Sequence, residues 1–100
     1  MADYYVIVDV RIDDPEEYKK YMLAAKPVAE KHGGEYIVRG GEFQVFEGEY
    51  FKPRRLVVVK FPSKEACETF YHSEEYQAAR DLRLPVSDMT MVGVQGFADD

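Results

Sequence analysis

The run RRLVVVKF, residues 54–61, is apolar on both sides of a strand, and that property decides how the rest of the chain is assembled. Successive side chains of a strand point to opposite faces of its sheet. Val57, Val59 and Phe61 share one face, with Arg55 at the head of the same row, and Leu56 and Val58 take the other. A sheet with one face in water alternates apolar with polar residues far more cleanly than this. Both faces of this strand therefore call for cover.

Working outward, residues 35–47 read as a preceding strand interrupted at Gly40-Gly41, and Gly48 and Pro53 mark the loop of a hairpin. YYVIVDVRI, residues 4–12, alternates with period two: Tyr4, Val6, Val8, Val10 and Ile12 on one face, Tyr5, Ile7, Asp9 and Arg11 on the other. Asp14-Pro15-Glu16-Glu17 then supplies a carboxylate cap and a proline for the first helical position. Tyr18, Tyr21, Met22, Ala25, Ala29 and His32 recur at helical spacing up to Gly33-Gly34, which ends the helix. Pro27 lies inside it, deletes one backbone hydrogen bond and is expected to bend it. Ser63 caps a second helix running to His72, and Ser73-Glu74-Glu75 caps it anew, with Tyr76, Ala79 and Leu82 continuing the apolar stripe. MTMVGVQGF, residues 89–97, is the fourth strand.

The order βαββαβ predicts an α+β ferredoxin-like subunit, an antiparallel four-stranded sheet with its helices on one face, forming a single domain over residues 1–100. The second face, carrying Leu56, Val58, Tyr5 and Ile7, is then expected to meet a second copy in a homodimer. A chain of this length buries only roughly 60–65% of its unfolded surface, so association adds stability it needs.

Composition narrows the function. The net charge is −6 and no basic block occurs, so nucleic acid is not an expected partner. The apolar run near the N-terminus is short and β-branched, which argues against a membrane span or signal sequence and makes the cytoplasm the expected location. Cys67 is the single cysteine, and His32 and His72 close different helices, so neither a metal nor another cofactor is expected. An RNA-binding sheet needs exposed aromatics along its third strand, and RRLVVVKF has none before Phe61. GVQGF is similar to an acylphosphatase anion cradle but lies in the last strand, away from any helix N-terminus.

What remains is a set of arginines and phenols: Arg39, Arg55, Tyr71, His72, Ser73, Tyr76, Arg80 and Arg83. Planar guanidinium groups suit carboxylates and developing oxyanions, and histidine or tyrosine moves protons. Arg39, Arg55, Tyr71, Ser73 and Arg83 are thus candidate ligand contacts, with His72 and Tyr76 as candidate catalytic groups. A double glycine in a strand makes a β-bulge that re-aims its neighbour, and here it turns Arg39 toward a cleft between the sheet and the second helix.

The succession Asp14-Pro15 with Tyr18 and Tyr21, Gly33-Gly34, Arg39-Gly40-Gly41, Glu47-Gly48, Arg55 to Val59, Phe61-Pro62-Ser63, and Ser73 to Tyr76 with Arg83 resembles the family catalogued as domain of unknown function 1330. The resemblance covers nearly the whole chain and implies a dimeric α/β barrel, in which ferredoxin-like subunits stack sheet to sheet. That superfamily includes cofactor-independent monooxygenases, muconolactone isomerases and effector-binding domains, so the fold leaves function open. The family pattern suggests an acid before the strand-three phenylalanine, where this chain has Lys60. Three readings remain: a cofactor-independent monooxygenase- or isomerase-like enzyme acting on a small carbonyl or carboxylate compound, a non-catalytic small-ligand-binding or stress-related dimer, or a dimer whose pocket is vestigial.

Overall fold

Helix formation starts where side chains can hold the first free amides. Asp14 lies in extended backbone ahead of α1 (Pro15–Lys31) and accepts the Glu17 N–H at 3.2 Å. Ser63 does the same for α2 (Lys64–His72), accepting the Ala66 N–H at 3.0 Å, and Ser73 for α3 (Glu74–Arg83), accepting the Tyr76 N–H at 3.1 Å. Gly33, at φ +86°, ends α1 in the left-handed region. Pro27 stands on the exposed side of α1, near the exposed Leu23 whose carbonyl it leaves without an amide, and the helix continues through it to Lys31.

The structure, a computed structural model, describes residues 2–97. Its strands are β1 (Tyr4–Ile12), β2 (Glu35–Arg39), β3 (Leu56–Phe61) and β4 (Ser87–Gln95), paired antiparallel throughout in the order β2-β3-β1-β4. This is the ferredoxin-like βαββαβ arrangement, with the second helix divided at Ser73. On the inner face Val6, Val8, Val10, Val57, Val59 and Phe61 pack against Tyr18, Tyr21, Ala25, Ala29, Phe70 and Tyr76 from the helices. Phe61 and Tyr76 are fully sealed, their rings bracketing Phe70 at centroid distances of 5.1 and 4.5 Å.

The outer face carries an apolar row across the whole sheet. Val38 pairs with Val58, Val58 with Ile7, and Ile7 with Val92. Ile7, Val38 and Val92 are 40, 40 and 52% exposed, so this subunit leaves the row uncovered. Lys60 also stands on this face, 3.7 Å from Glu35 across the sheet.

Several boundaries differ from expectation. The second strand stops at Arg39, because Gly40 turns out of the ladder at φ +74° after a last bond from its N–H to the Leu56 carbonyl at 2.8 Å. Residues 40–55 are therefore an exposed connection and not a longer strand of a hairpin. The bulge lies upstream of the glycines: Tyr36 pairs with Val59 and Val38 with Val58, leaving Ile37 surplus. In α3 the buried position is Arg83, at 6% exposure, while Leu82 is exposed, because the restart at Ser73 sets a new helical phase through Tyr76, Ala79 and Arg83. The fourth strand covers residues 87–95, two places earlier than expected.

Gly40 combines positive φ with a crowded site, where an added Cβ would lie 2.7 Å from the Arg55 Nε; Gly41 has neither feature. Gly40→Ala is expected to cost about 1 kcal/mol or more, lowering the melting temperature by roughly 4–8 °C. Gly41→Ala is expected to stay within about 0.5 kcal/mol. Thermal unfolding of the two variants checks this, and equal melting temperatures contradict it.

Candidate functional site

The bulge at Ile37 determines which way Arg39 points. In a regular strand Arg39 would share a face with Ile37, opposite Tyr36; the surplus residue shifts the alternation and returns Arg39 to the inner face, paired with Val57. There its guanidinium carbon lies 5.2 Å from the centre of the Tyr36 ring, within cation–π range. Arg55 arrives from the other side of the same connection. Asp9 holds its backbone, the carboxylate accepting the Arg54 and Arg55 N–H groups at 2.7 and 3.2 Å, and the Arg55 carbonyl accepts the Val10 N–H at 3.1 Å. The side chain then passes over Gly40, where the missing Cβ leaves it room, and its Nη2 stands 3.9 Å from the Met22 sulfur.

Arg39 and Arg55 line a cavity of about 40 Å³ between the inner sheet face and α1, walled by Tyr18, Tyr21, Tyr36 and Val57 among others. The cleft thus forms chiefly against the first helix, where the second was expected. Among the described residues, neither arginine has a carboxylate within 4.0 Å; the ion pairs belong to Arg11 and to lysines. Arg39 is exposed and Arg55 half-buried, so the two cations stand at the mouth of an apolar interior. Attraction for an anion there is stronger than on open surface, since the apolar walls screen less than water.

The phenols of the wall are protonated at neutral pH. Burial pushes Tyr36 up to about 12, against the opposing pull of Arg39. It raises Tyr18 as well, against Arg55, Arg83 and Arg39, and raises Tyr21 further, with Tyr76 adding to the effect. Each phenol can therefore act as a hydrogen-bond donor. Tyr18 is 2% exposed, and its hydroxyl has no hydrogen-bond partner among the described residues.

The other expected site residues lie elsewhere. Tyr76 and Arg83 form a buried pair behind the cavity wall, the Arg83 Nη2 donating to the Tyr76 hydroxyl at 3.3 Å. Ser73 spends its hydroxyl on the helix junction, donating to the Phe70 carbonyl at 2.7 Å and accepting the Tyr76 N–H. Tyr71 and His72 line a separate, open groove with Cys67, Glu68, Tyr4 and Met91. Burial raises the Cys67 thiol, with the nearby Glu68 adding to it, which keeps it in the less reactive form. In the sequence Tyr18 and Tyr21 read as core residues of the first helix, and nothing there singles out Tyr36. The available signal was the spacing of three between the first two, which sets both hydroxyls on one helix face.

These phenols tie stability to pH. Their folded values stand above the ordinary 10.0, so their contribution is complete below about pH 10 and is lost as pH rises through the folded values, about 12 for Tyr36. The melting temperature is expected to hold from about pH 7 to 9 and to fall above about pH 10. Thermal unfolding across that range checks this, and a flat curve to about pH 12 contradicts it.

No curated protein matches the chain. Solved structures share its fold. RPA0582, a protein of unknown function from Rhodopseudomonas palustris, aligns with TM-score 0.76 and 17% identity over 98% of this chain and 85% of that one. A dimeric ferredoxin-like protein of unknown function from Thermobifida fusca aligns with TM-score 0.65 and 16% identity over 94% and 91%. SnoaB, a cofactor-independent oxygenase from Streptomyces nogalater, aligns with TM-score 0.68 and 8% identity over 99% and 97%. At these identities the likeness establishes the fold alone. Residues 3–97 match the model of the family described as Domain of unknown function (DUF1330), and the chain belongs to that family.

Proposed function

We propose that the chain binds a small carbonyl compound bearing an anionic oxygen, a carboxylate or an enolate, in the cavity at Arg39 and Arg55. The observation that carries this reading is the pair of guanidinium groups at an apolar opening, with no carboxylate within reach among the described residues. A cavity of about 40 Å³ suits a head group of a few heavy atoms, and the exposed Arg39 leaves the remainder of the ligand free to project outward.

The same cavity supports a cofactor-independent isomerase- or oxygenase-like reaction, and SnoaB is an oxygenase of that kind on this fold. In such a reaction Arg39 and Arg55 stabilise the developing oxyanion and a phenol moves the proton. Tyr18 and Tyr21 at the wall take that part ahead of Tyr76, which is sealed, and His72, which lines the other groove. A binding protein without turnover needs the arginines and no group that moves a proton.

The apolar row Val38, Val58, Ile7 and Val92 supports a second proposal, a homodimer joined through the outer sheet face. Phe51 extends this surface, lying beside Ile7 and Val92. A face that is its own complement meets a second copy about a two-fold axis.

Two measurements test these readings. Arg39→Lys and Arg55→Lys keep the charge and lose the planar fork, so each is expected to weaken binding of acetate or benzoate by roughly 1–3 kcal/mol at nearly unchanged melting temperature. A loss of stability with binding intact assigns the arginines to structure. Light scattering at micromolar concentration is expected to give twice the chain mass, and Val58→Asp to shift the population to monomer. A wild-type monomer that stays folded and soluble overturns the dimer.

A further inference from the structure

Behind the cavity wall lies a chain of three polar groups whose hydrogens can be followed one by one. Arg83 is buried at 6% exposure, has no carboxylate within 4.0 Å among the described residues, and leaves its Nε without a partner. Its Nη2 donates to the Tyr76 hydroxyl at 3.3 Å, and its guanidinium carbon lies 5.3 Å from the centre of the Tyr21 ring. The Tyr76 and Tyr21 hydroxyl oxygens are 3.1 Å apart.

An arginine only donates, so the Tyr76 oxygen accepts from it. Tyr76 is fully sealed, and the Tyr21 oxygen is the one acceptor within reach of its hydrogen among the described residues. Leaving that hydrogen unbonded in the core would carry the full desolvation penalty of a buried donor. Tyr76 therefore donates to Tyr21, and the hydrogen of Tyr21 is the one left over. Tyr21 lines the cavity.

We propose that Arg83 and Tyr76 fix the Tyr21 hydroxyl as a donor into the cavity, where it meets the oxygen of a bound carboxylate or enolate opposite Arg39 and Arg55. This rests on the anion reading of the cavity and specifies it: the ligand presents an acceptor oxygen at its inner end. Each bond in such a chain polarises the next, which strengthens the terminal donor. Burial also holds Tyr21 in the protonated form over the neutral range, as a donor requires. Tyr76 and Arg83 act through Tyr21 and are positioning residues; a purely structural network would make them matter for stability alone.

The test uses acetate as probe with the full chain. Tyr21→Phe is expected to weaken acetate binding roughly tenfold or more. Tyr76→Phe, which leaves the wall intact, is expected to weaken it about three- to tenfold although Tyr76 never touches the probe. In wild type carrying tyrosine labelled with ¹³C at the ring carbon bonded to oxygen, the Tyr21 signal is expected to move on acetate addition, and to move less in Tyr76→Phe. If neither acetate nor benzoate binds wild type, the anion reading and this inference both fall. If acetate binds and Arg55→Lys weakens it while the Tyr21 signal stays still, the anion reading stands and the relay is overturned. The labelled wild type decides the matter even where Tyr21→Phe does not fold.

Discussion

Tyr36 and Val38 of β2 face consecutive residues of β3, Val59 and Val58, and the surplus residue Ile37 between them resets the alternation of the strand. The direction of Arg39 follows from that one-residue surplus. It keeps Val38 on the outer row beside Val58, and it returns Arg39 to the inner face above the Tyr36 ring. Without the shift, Arg39 would lie among the apolar residues of the outer face and Val38 would stand over the cavity. A single surplus residue thus serves two surfaces, keeping the outer face apolar and the cavity mouth cationic.

The connection between β2 and β3 completes the mouth. Gly40 leaves the ladder at positive φ and has no side chain in the space the Arg55 guanidinium crosses, while Asp9 ties down the backbone at the other end. The two arginines are therefore held by backbone geometry, with no partner carboxylate among the described residues. That distinguishes them from the lysines and Arg11, whose ion pairs lie on exposed surface and contribute little. A cation kept clear of carboxylates at an apolar opening is available to a ligand. Arg83, inside, is stabilised differently, by the Tyr76 hydroxyl, by the face of Tyr21 and by its place in the last turn of α3.

Much of the fold was legible because its signals are local. Asp14, Ser63 and Ser73 each cap the helix they were expected to cap, and the period-two rows of β1 and β3 separate inner from outer faces as read. Of the β-bulge or strand break that Gly40-Gly41 predicts, the break is found, with Gly40 at positive φ, whereas the bulge at Ile37 leaves no trace in the pattern because Ile37 and Val38 are both apolar. Leu82 was placed inside on hydrophobicity, and the phase set by Ser73 put Arg83 there instead. Arg39 and Arg55 both line one cavity, and so do Tyr18 and Tyr21, which read as core residues in the sequence because a buried ring and a cavity-lining ring look alike there.

The proposed site requires the Arg39 and Arg55 side chains to receive an anionic oxygen jointly. The most direct measurement is the Nε–H signals of the two arginines in a ¹⁵N-labelled sample titrated with acetate. Both are predicted to shift saturably with one shared dissociation constant, while Arg54, which lies outside the cavity lining, follows no such curve. Signals of Arg39 and Arg55 that stay in place, or drift linearly together with Arg54, would exclude an anion held between the two arginines.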